Sequence, residues 1–291
     1  MGILDGKVAL VTGAGGGLGR SHAILLAKEG AKVVVNDLGG SVNGTGRGEG
    51  ARMADAVVEE IRRAGGEAVA DYGSVTEHAD QMVRAAVDSF GRLDICICNA
   101  GILRDKSFKK MTPDQWHPVL DVHLNGTYYV AKAAYDQMLE QGDGGRIVVT
   151  SSTAGLIGNF GQTNYGAAKA GIAGFMRCLS REGIKYGITV NVLAPAAWSR
   201  MTEGLLPEDA SERFAPERVS PVVAWLCSDD AGDVTGRQFC VGGNRVSMLS
   251  WQVDVLAERD PTGDTWTPAE IGDALRDTMD RWPKPLGPMD V

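Results

Sequence analysis

No apolar run in the sequence is long enough to span a bilayer. The N-terminal stretch MGILDGKVALVTG enters a strand-like segment without the basic and apolar regions of a secretion signal. Positive charge is not in excess either. The formal net charge is −8 over 291 residues, which argues against nucleic acid or an anionic membrane as a partner. The cysteines, at 96, 98, 178, 227 and 240, are odd in number, and the pair in LDICICNAG has neither zinc-site nor redox spacing. Cys96 and Cys98 alternate along a strand and face one side of a sheet, so the expectation is buried, reduced thiols and no metal. Internal repeats and long low-complexity tracts are missing as well. The C-terminus, PLGPMDV, carries no peroxisomal SKL signal, and the expected location is the cytoplasm.

What is present is a chain with 44% hydrophobic and 23% charged residues, ordinary for a globular protein able to bury a full core. Short apolar runs alternate with helical patterns. KVALVTG reads as a buried strand, and GRSHAILLAKEG after it has apolar positions at helical spacing and a glycine stop. The alternation continues through AKVVVND, a helix in ARMADAVVEEIRRAG, GEAVADY, a helix over 76–90 and RLDICICNAG. A long helical run near 113–140, GRIVVTSS, a helix from about 163 to 186 and ITVNVLAP follow. A last helix in PERVSPVVAWLCSDD leads to GRQFCVGG. The strands are continuous apolar runs, which predicts a parallel sheet covered by helices on both faces. The reading is a single doubly wound α/β domain over 1–245 with a seven-stranded parallel sheet. A C-terminal extension over 246–291 is partly helical, in TPAEIGDALRDTMDRW. Residues 38–50 form an unusually long glycine-rich connection, read as flexible. Residues 196–216 have the mixed polarity of a lid over an apolar substrate.

VALVTGAGGGLGRS joins the first strand to the first helix, with Gly13, Gly17 and Gly19 in G-x-x-x-G-x-G spacing. A dinucleotide pyrophosphate needs backbone N–H groups at a helix N-terminus and no Cβ where the backbone approaches it. Asp37 closes the second strand, where a carboxylate accepts hydrogen bonds from both hydroxyls of an adenosine ribose and repels a 2′-phosphate. Gly16 puts no basic side chain beside the cradle. Both features favour NAD over NADP, and Arg47 in the long loop is the one residue placed to reach back and reverse that.

Two tyrosines stand four residues before a lysine: Tyr165 before Lys169 in TNYGAAKAG, and Tyr128 before Lys132 in YYVAK. On a helix each pair shares a face, one turn apart. Oxidising an alcohol requires a base for its hydroxyl proton, and a phenol of pKa near 10 serves only if positive charge lowers it. Lys169 supplies such charge together with a nicotinamide ring, and Ser152, at the end of the strand GRIVVTSS, is placed to hold the substrate oxygen. Tyr128 has no such serine upstream. Gln115 stands at the matching offset in a helical region, so Tyr128 and Lys132 are expected to be a helix-face pair.

TGAGGGLG, CNAG, Ser152 with YGAAK, and NVLAPAA stand in order over about residues 5–245, and on these motifs the chain resembles the short-chain dehydrogenase/reductase family. The resemblance implies a Rossmann fold and an NAD-dependent interconversion of a secondary alcohol and a ketone. It implies that Ser152 positions the substrate oxygen, Tyr165 is the general acid/base, and Lys169 lowers its pKa and holds the nicotinamide ribose. It assigns cofactor binding to Gly13, Gly16, Gly17, Leu18, Gly19, Asp37, Asn99, Ala100, Gly101, Tyr165, Lys169 and Pro195. Asn99 would also stabilise the central strands, and a homodimer or homotetramer is implied.

Two positions depart from the family pattern. His123, in DVHLNGTYYV, occupies the place of an asparagine that supports a water relay from the lysine; Asn125 lies two residues later. A ring nitrogen also binds water, so the relay is expected in altered form, with plain packing as the alternative. Ser74 stands where the family often has an aspartate touching the adenine. The longer stretches VVVNDLGG, NAGILRDKSF, GNFGQTNYGAAK and SRMTEGLLPED resemble the family's (3R)-3-hydroxyacyl-CoA dehydrogenase branch, which serves β-oxidation of fatty acids and steroid side chains. A 17β-hydroxysteroid or other hydroxysteroid, a 3-oxoacyl thioester reductase and a non-catalytic NAD sensor remain open alternatives. The last has no use for serine, tyrosine and lysine together. Arg104, Lys106, Lys109, Lys110 and Arg200 either meet coenzyme A phosphates or form a solvated basic face.

Overall fold

The computed structural model describes residues 2–41, 43–44, 50–198, 211–284 and 286–287. Eight strands form one sheet in the order β3-β2-β1-β4-β5-β6-β7-β8. Seven are mutually parallel: β1 Val8–Thr12, β2 Lys32–Asn36, β3 Ala68–Asp71, β4 Ile95–Cys98, β5 Gly145–Thr150, β6 Ile188–Pro195 and β7 Gln238–Gly242. All seven match apolar runs in the sequence. The eighth, β8 Arg245–Leu249, pairs antiparallel with β7 and corrects the expected count. It escapes an apolar-run reading because Val246 and Met248 are exposed. A two-residue turn, Gly243 and Asn244, both at positive φ, reverses the chain as hairpin geometry requires. The sheet therefore continues past residue 245.

Alternate side chains of each buried strand feed two cores. Ala9 and Val11 of β1 pack with α1 Gly17–Lys28, α2 Gly50–Arg63 and α8 Ser220–Leu226. Val8 and Leu10 face the opposite layer, built from α3 Ala79–Phe90, α5 Gly126–Gln141 and α7 Thr163–Gly183. The helical run near 113–140 is interrupted: α4 Pro113–Leu120 passes through a π-helical turn, Asp121–Asn125, into α5. A single-turn π-bulge of this kind often marks a functional site. A four-residue helix, α6 Thr153–Leu156, follows β5, and α9 Pro268–Arg276 in the extension is closed by a Thr267–Glu270 capping box.

Cys96 and Cys98 lie on one face of β4, their sulfurs 3.9 Å apart, and with Cys227 and Cys240 they are buried. Cys178 is exposed, against the expectation of burial, because its position on α7 points out of the core. Residues 199–210 of the expected lid, including Arg200, and Arg47 of the glycine-rich loop lie outside the described residues. The residues flanking that segment are tied together by the Trp198 amide, which donates to the Phe214 carbonyl at 2.6 Å.

His22 on α1 is fully enclosed against α8. Its Nδ1 lies 2.8 Å from the Ser220 hydroxyl, which lies 2.7 Å from that of Ser21, and its Nε2 has no hydrogen-bond partner among the described residues. Burial pushes its pKa down to about 3, so the folded chain keeps it neutral while the unfolded chain protonates it below about pH 6.5. Stability is then complete above pH 6.5 and falls as the pH drops toward 3, by about 2 kcal/mol between pH 6.5 and 5 from this group. Thermal melts across that window should show the decline, and His22→Gln should flatten it.

Candidate active site

The glycine run meets the fold at the N-terminus of α1. Gly16 precedes the helix in extended geometry, no side chain caps it, and no acidic residue lies in the first turn. The first backbone amides are thus left for an external anion. A Cβ on Gly13 would fall 2.8 Å from the Ala100 Cα, and one on Gly19 would fall 2.2 Å from the Gly13 carbonyl oxygen. Gly13 and Gly17 also sit at positive φ. Leu18 packs against the α1 core. The cradle fits a dinucleotide pyrophosphate, since only glycine allows the chain to close this tightly around the helix end.

Asp37, just beyond β2, is drawn onto the lip of this cradle. Its carboxylate accepts the Gly15 amide at 2.8 Å through Oδ2 and the Gly39 amide at 2.8 Å through Oδ1. Each oxygen keeps a further lone pair for a ribose hydroxyl. Ser74 is engaged locally, its hydroxyl 2.8 Å from that of Thr76.

Asn99 follows β4 and joins the cradle to the middle of the sheet. Its side-chain amide donates to the carbonyls of Thr12 at 3.0 Å and Gly13 at 3.2 Å, while the Thr12 hydroxyl accepts the amides of Asn99 and Ala100. Pro195 ends β6 opposite Val241 on the same edge of the sheet.

Ser152, Tyr165 and Lys169 converge at the end of β5. Ser152 is the N-cap of α6, its hydroxyl accepting the Ala154 amide at 3.2 Å. Tyr165 lies in the first turn of α7, with its hydroxyl close enough to Ser152 for that side chain to act on its pKa. Lys169, one turn further, is only 3% exposed; its Nζ donates to the Thr150 carbonyl at 2.6 Å and lies 5.4 Å from the Tyr165 ring centre. A side chain on Gly155 would strike the Lys169 Cβ at 2.5 Å, so glycine lets α6 sit against α7.

Burial around the Tyr165 hydroxyl pushes its pKa up to about 12, opposed by the Ser152 hydrogen bond and reinforced by the negative charge of Asp105. Burial lowers Lys169 to about 7. The protein's own groups therefore do not hold the phenol low, as the lysine spacing alone suggests. Desolvation raises the phenol, and it lowers the Lys169 ammonium at the same time.

His123 stands in the π-helical turn, its ring edge-on to Tyr165 with centroids 5.1 Å apart. Its Nε2 is 2.7 Å from the Ile102 carbonyl oxygen, and its Nδ1 has no partner among the described residues. Burial, and then the charge of Lys169, keep its pKa well below the usual histidine value. Nε2 also lies 3.1 Å from the Ile102 amide nitrogen; in the tautomer in which it donates to the Ile102 carbonyl, Nδ1 carries a free lone pair. A Cβ on Gly101 would fall 2.2 Å from the His123 Cε1.

The sequence reading passed over Asn164. Fully buried, it donates to the carbonyls of Arg104 at 3.0 Å and Gln115 at 2.8 Å and accepts the Tyr165 amide at 2.8 Å. A polar residue beside the tyrosine at a helix start is the only local sign of it. Gln162 likewise donates to Asp105 at 2.6 Å, strapping the segment after β4 onto the start of α7. Arg104 spends its guanidinium on the carbonyls of Asn43 and Asp114, whereas Lys106, Lys109 and Lys110 are exposed. Tyr128 lies exposed on α5 against Tyr129 and Phe175, and Lys132 ion-pairs with Asp136, so this second pair is a surface feature.

The short chain dehydrogenase family model matches residues 7–209. The chain is 51% identical over 248 residues to peroxisomal multifunctional enzyme type 2 of Mus musculus, covering 85% of this chain but 33% of that protein. It thus spans about a third of that relative. It is 38% identical over 293 residues to a hydroxyacyl-CoA dehydrogenase of Mycobacterium tuberculosis, covering 94% of this chain and 89% of the relative. A crystal structure of a short chain dehydrogenase from Mycobacterium avium superposes with a TM-score of 0.86 at 42% identity, covering 98% of each chain.

Gly101→Ala tests the packing of this site. The added methyl must displace the His123 ring and with it the face of Tyr165, so turnover of a secondary alcohol should fall by about 100-fold. Circular dichroism should meanwhile still report a folded α/β protein.

Proposed function

The chain belongs to the short-chain dehydrogenase family, and from that premise we propose that it oxidises (3R)-3-hydroxyacyl-CoA thioesters to 3-ketoacyl-CoA with NAD as hydride acceptor. The observation that carries an alcohol chemistry is the convergence of Ser152, Tyr165 and Lys169 around one hydroxyl. Support for the acyl-CoA substrate comes from the resemblance to the mycobacterial hydroxyacyl-CoA dehydrogenase and to the multifunctional enzyme of mouse. Asp37, pinned at the cradle lip by two backbone amides, supports NAD.

In this reading Ser152 Oγ holds the carbinol oxygen, and Tyr165 Oη takes its proton. NAD, when bound, accepts the hydride and brings positive charge beside the phenol. Lys169 Nζ, anchored on the Thr150 carbonyl, holds the ribose and stabilises the phenolate. The free lone pair of His123 Nδ1 binds the water through which the proton leaves. His123 thereby takes over the relay that the family gives to asparagine.

Purified protein given NAD should form NADH from the (3R) epimer of a 3-hydroxyacyl-CoA and not from the (3S) epimer, and Tyr165→Phe should abolish it. Turnover of neither epimer while NAD still binds would sink the acyl-CoA assignment. Tyr165 starts with a raised pKa, so its base form grows with pH across the neutral range. Alcohol oxidation should rise from pH 7 toward 9, by less than about tenfold per unit because Lys169 loses its proton over the same range, and ketone reduction should not rise with it. Asp37→Ser should narrow the preference for NAD over NADP by raising KM for NAD.

A further inference from the structure

Beside the segment that leads into α8, an open, water-accessible cleft of about 380 Å³ is lined by Glu212, Arg213, Arg218, Gly243 and Asn244. That is the size of a small-molecule site. One wall is the segment from Glu212 to Arg218 that leads into α8, and the other is the β7–β8 hairpin turn. Arg213 stacks over the Phe214 ring at 5.3 Å, and the Arg218 Nε donates to the Glu212 carbonyl at 2.9 Å. Neither guanidinium forms an ion pair with a carboxylate among the described residues. Arg245, exposed at the first position of β8, adds a third positive charge beside the turn. In a chain with a net charge of −8, these arginines stand against the overall field.

The cleft lies beyond the C-terminal end of β7, on the sheet edge that also carries Ser152 after β5. β7 is two strands from β5, a lateral offset of roughly 10 Å at strand spacing. The glycine cradle lies on the opposite side of Ser152, after β1, so the pyrophosphate of a dinucleotide held there is four strands away from this cleft. We propose that the cleft is an anion subsite that takes the phosphate groups of the coenzyme A half of the substrate, with Arg213 and Arg218 as the binding groups. This rests on the acyl-CoA reading above. An extended pantetheine arm, about as long as five residues of extended chain or roughly 17 Å, spans the distance from a thioester near Ser152 to the cleft. Forked guanidinium donors suit phosphate oxygens. Glu212 contributes one opposing carboxylate, which trims the affinity without reversing the sign of the site.

The test compares (3R)-3-hydroxyhexanoyl-CoA with the same acyl group on N-acetylcysteamine, which has no phosphate. Arg213→Ala and Arg218→Gln should each raise KM for the CoA thioester by about tenfold. They should leave kcat, and both constants for the N-acetylcysteamine thioester, unchanged. Glu212→Gln should lower KM for the CoA thioester alone, a gain that damage to the fold cannot produce. Equal losses on both substrates, or no change on either, would overturn the subsite. Calorimetric titration of free CoA into the NAD-loaded enzyme provides a readout independent of turnover: the double variant should bind at least tenfold more weakly. Inorganic phosphate binding as tightly as CoA would mark a generic phosphate site and overturn the assignment. If wild type turns over neither thioester, the proposed activity fails, while the CoA titration still decides the subsite.

Discussion

The hydrogen bonds between Asn99 and Thr12 hold the working edge of the sheet together. β1 and β4 are neighbours, and beyond their last paired residues a parallel sheet leaves backbone groups without partners. Asn99 fills that gap with its side-chain amide, and the Thr12 hydroxyl does so from the other strand. The glycine cradle, which leaves β1, and the segment from Gly101 toward His123, which leaves β4, are thereby fixed relative to each other. A Cβ on Gly19 would collide with the same Asn99 amide at 2.6 Å, so α1 is drawn in against this joint too. Cofactor cradle and alcohol chemistry share one support.

Burial dominates the electrostatics around that support. Lys169, His123 and the hydroxyl of Tyr165 are all taken out of water, and each is pushed toward its neutral form. Backbone carbonyls, rather than carboxylates, hold the two bases: Thr150 receives Lys169, and Ile102 receives His123. Neutral partners keep the groups in position without committing their charge. A site arranged in this way leaves its protonation state to be set by what binds. The same buried histidine chemistry at His22 ties the fold's own stability to pH, through α1 and α8 rather than through the site.

Most of the architecture was legible because its determinants are local. Continuous apolar strands, alternating helices and glycines at a strand-to-helix junction specify a parallel doubly wound sheet before any tertiary contact is known. β8 was not, since an edge strand with exposed apolar residues carries no buried run and is recognisable only by its partner. The break between α4 and α5 was hidden for a related reason. DVHLN has ordinary helical residues, and its π geometry belongs to the packing of His123 against Tyr165 and Gly101.

Sequence alone singled out the candidate residues: Ser152, Tyr165, Lys169, the glycine run and Asp37 announce themselves by type and spacing. Tertiary structure decided how they are held. Asn164, Asp105 with Gln162, and the carbonyls of Thr150 and Ile102 act across 19 to 60 positions of chain, at separations no local pattern encodes. It also supplied the physical difference between the two tyrosine–lysine pairs, which the upstream Ser152 had already told apart. One faces the buried end of β5 and the other faces solvent on α5, and burial, a property of the whole fold, separates an enclosed phenol from a surface one.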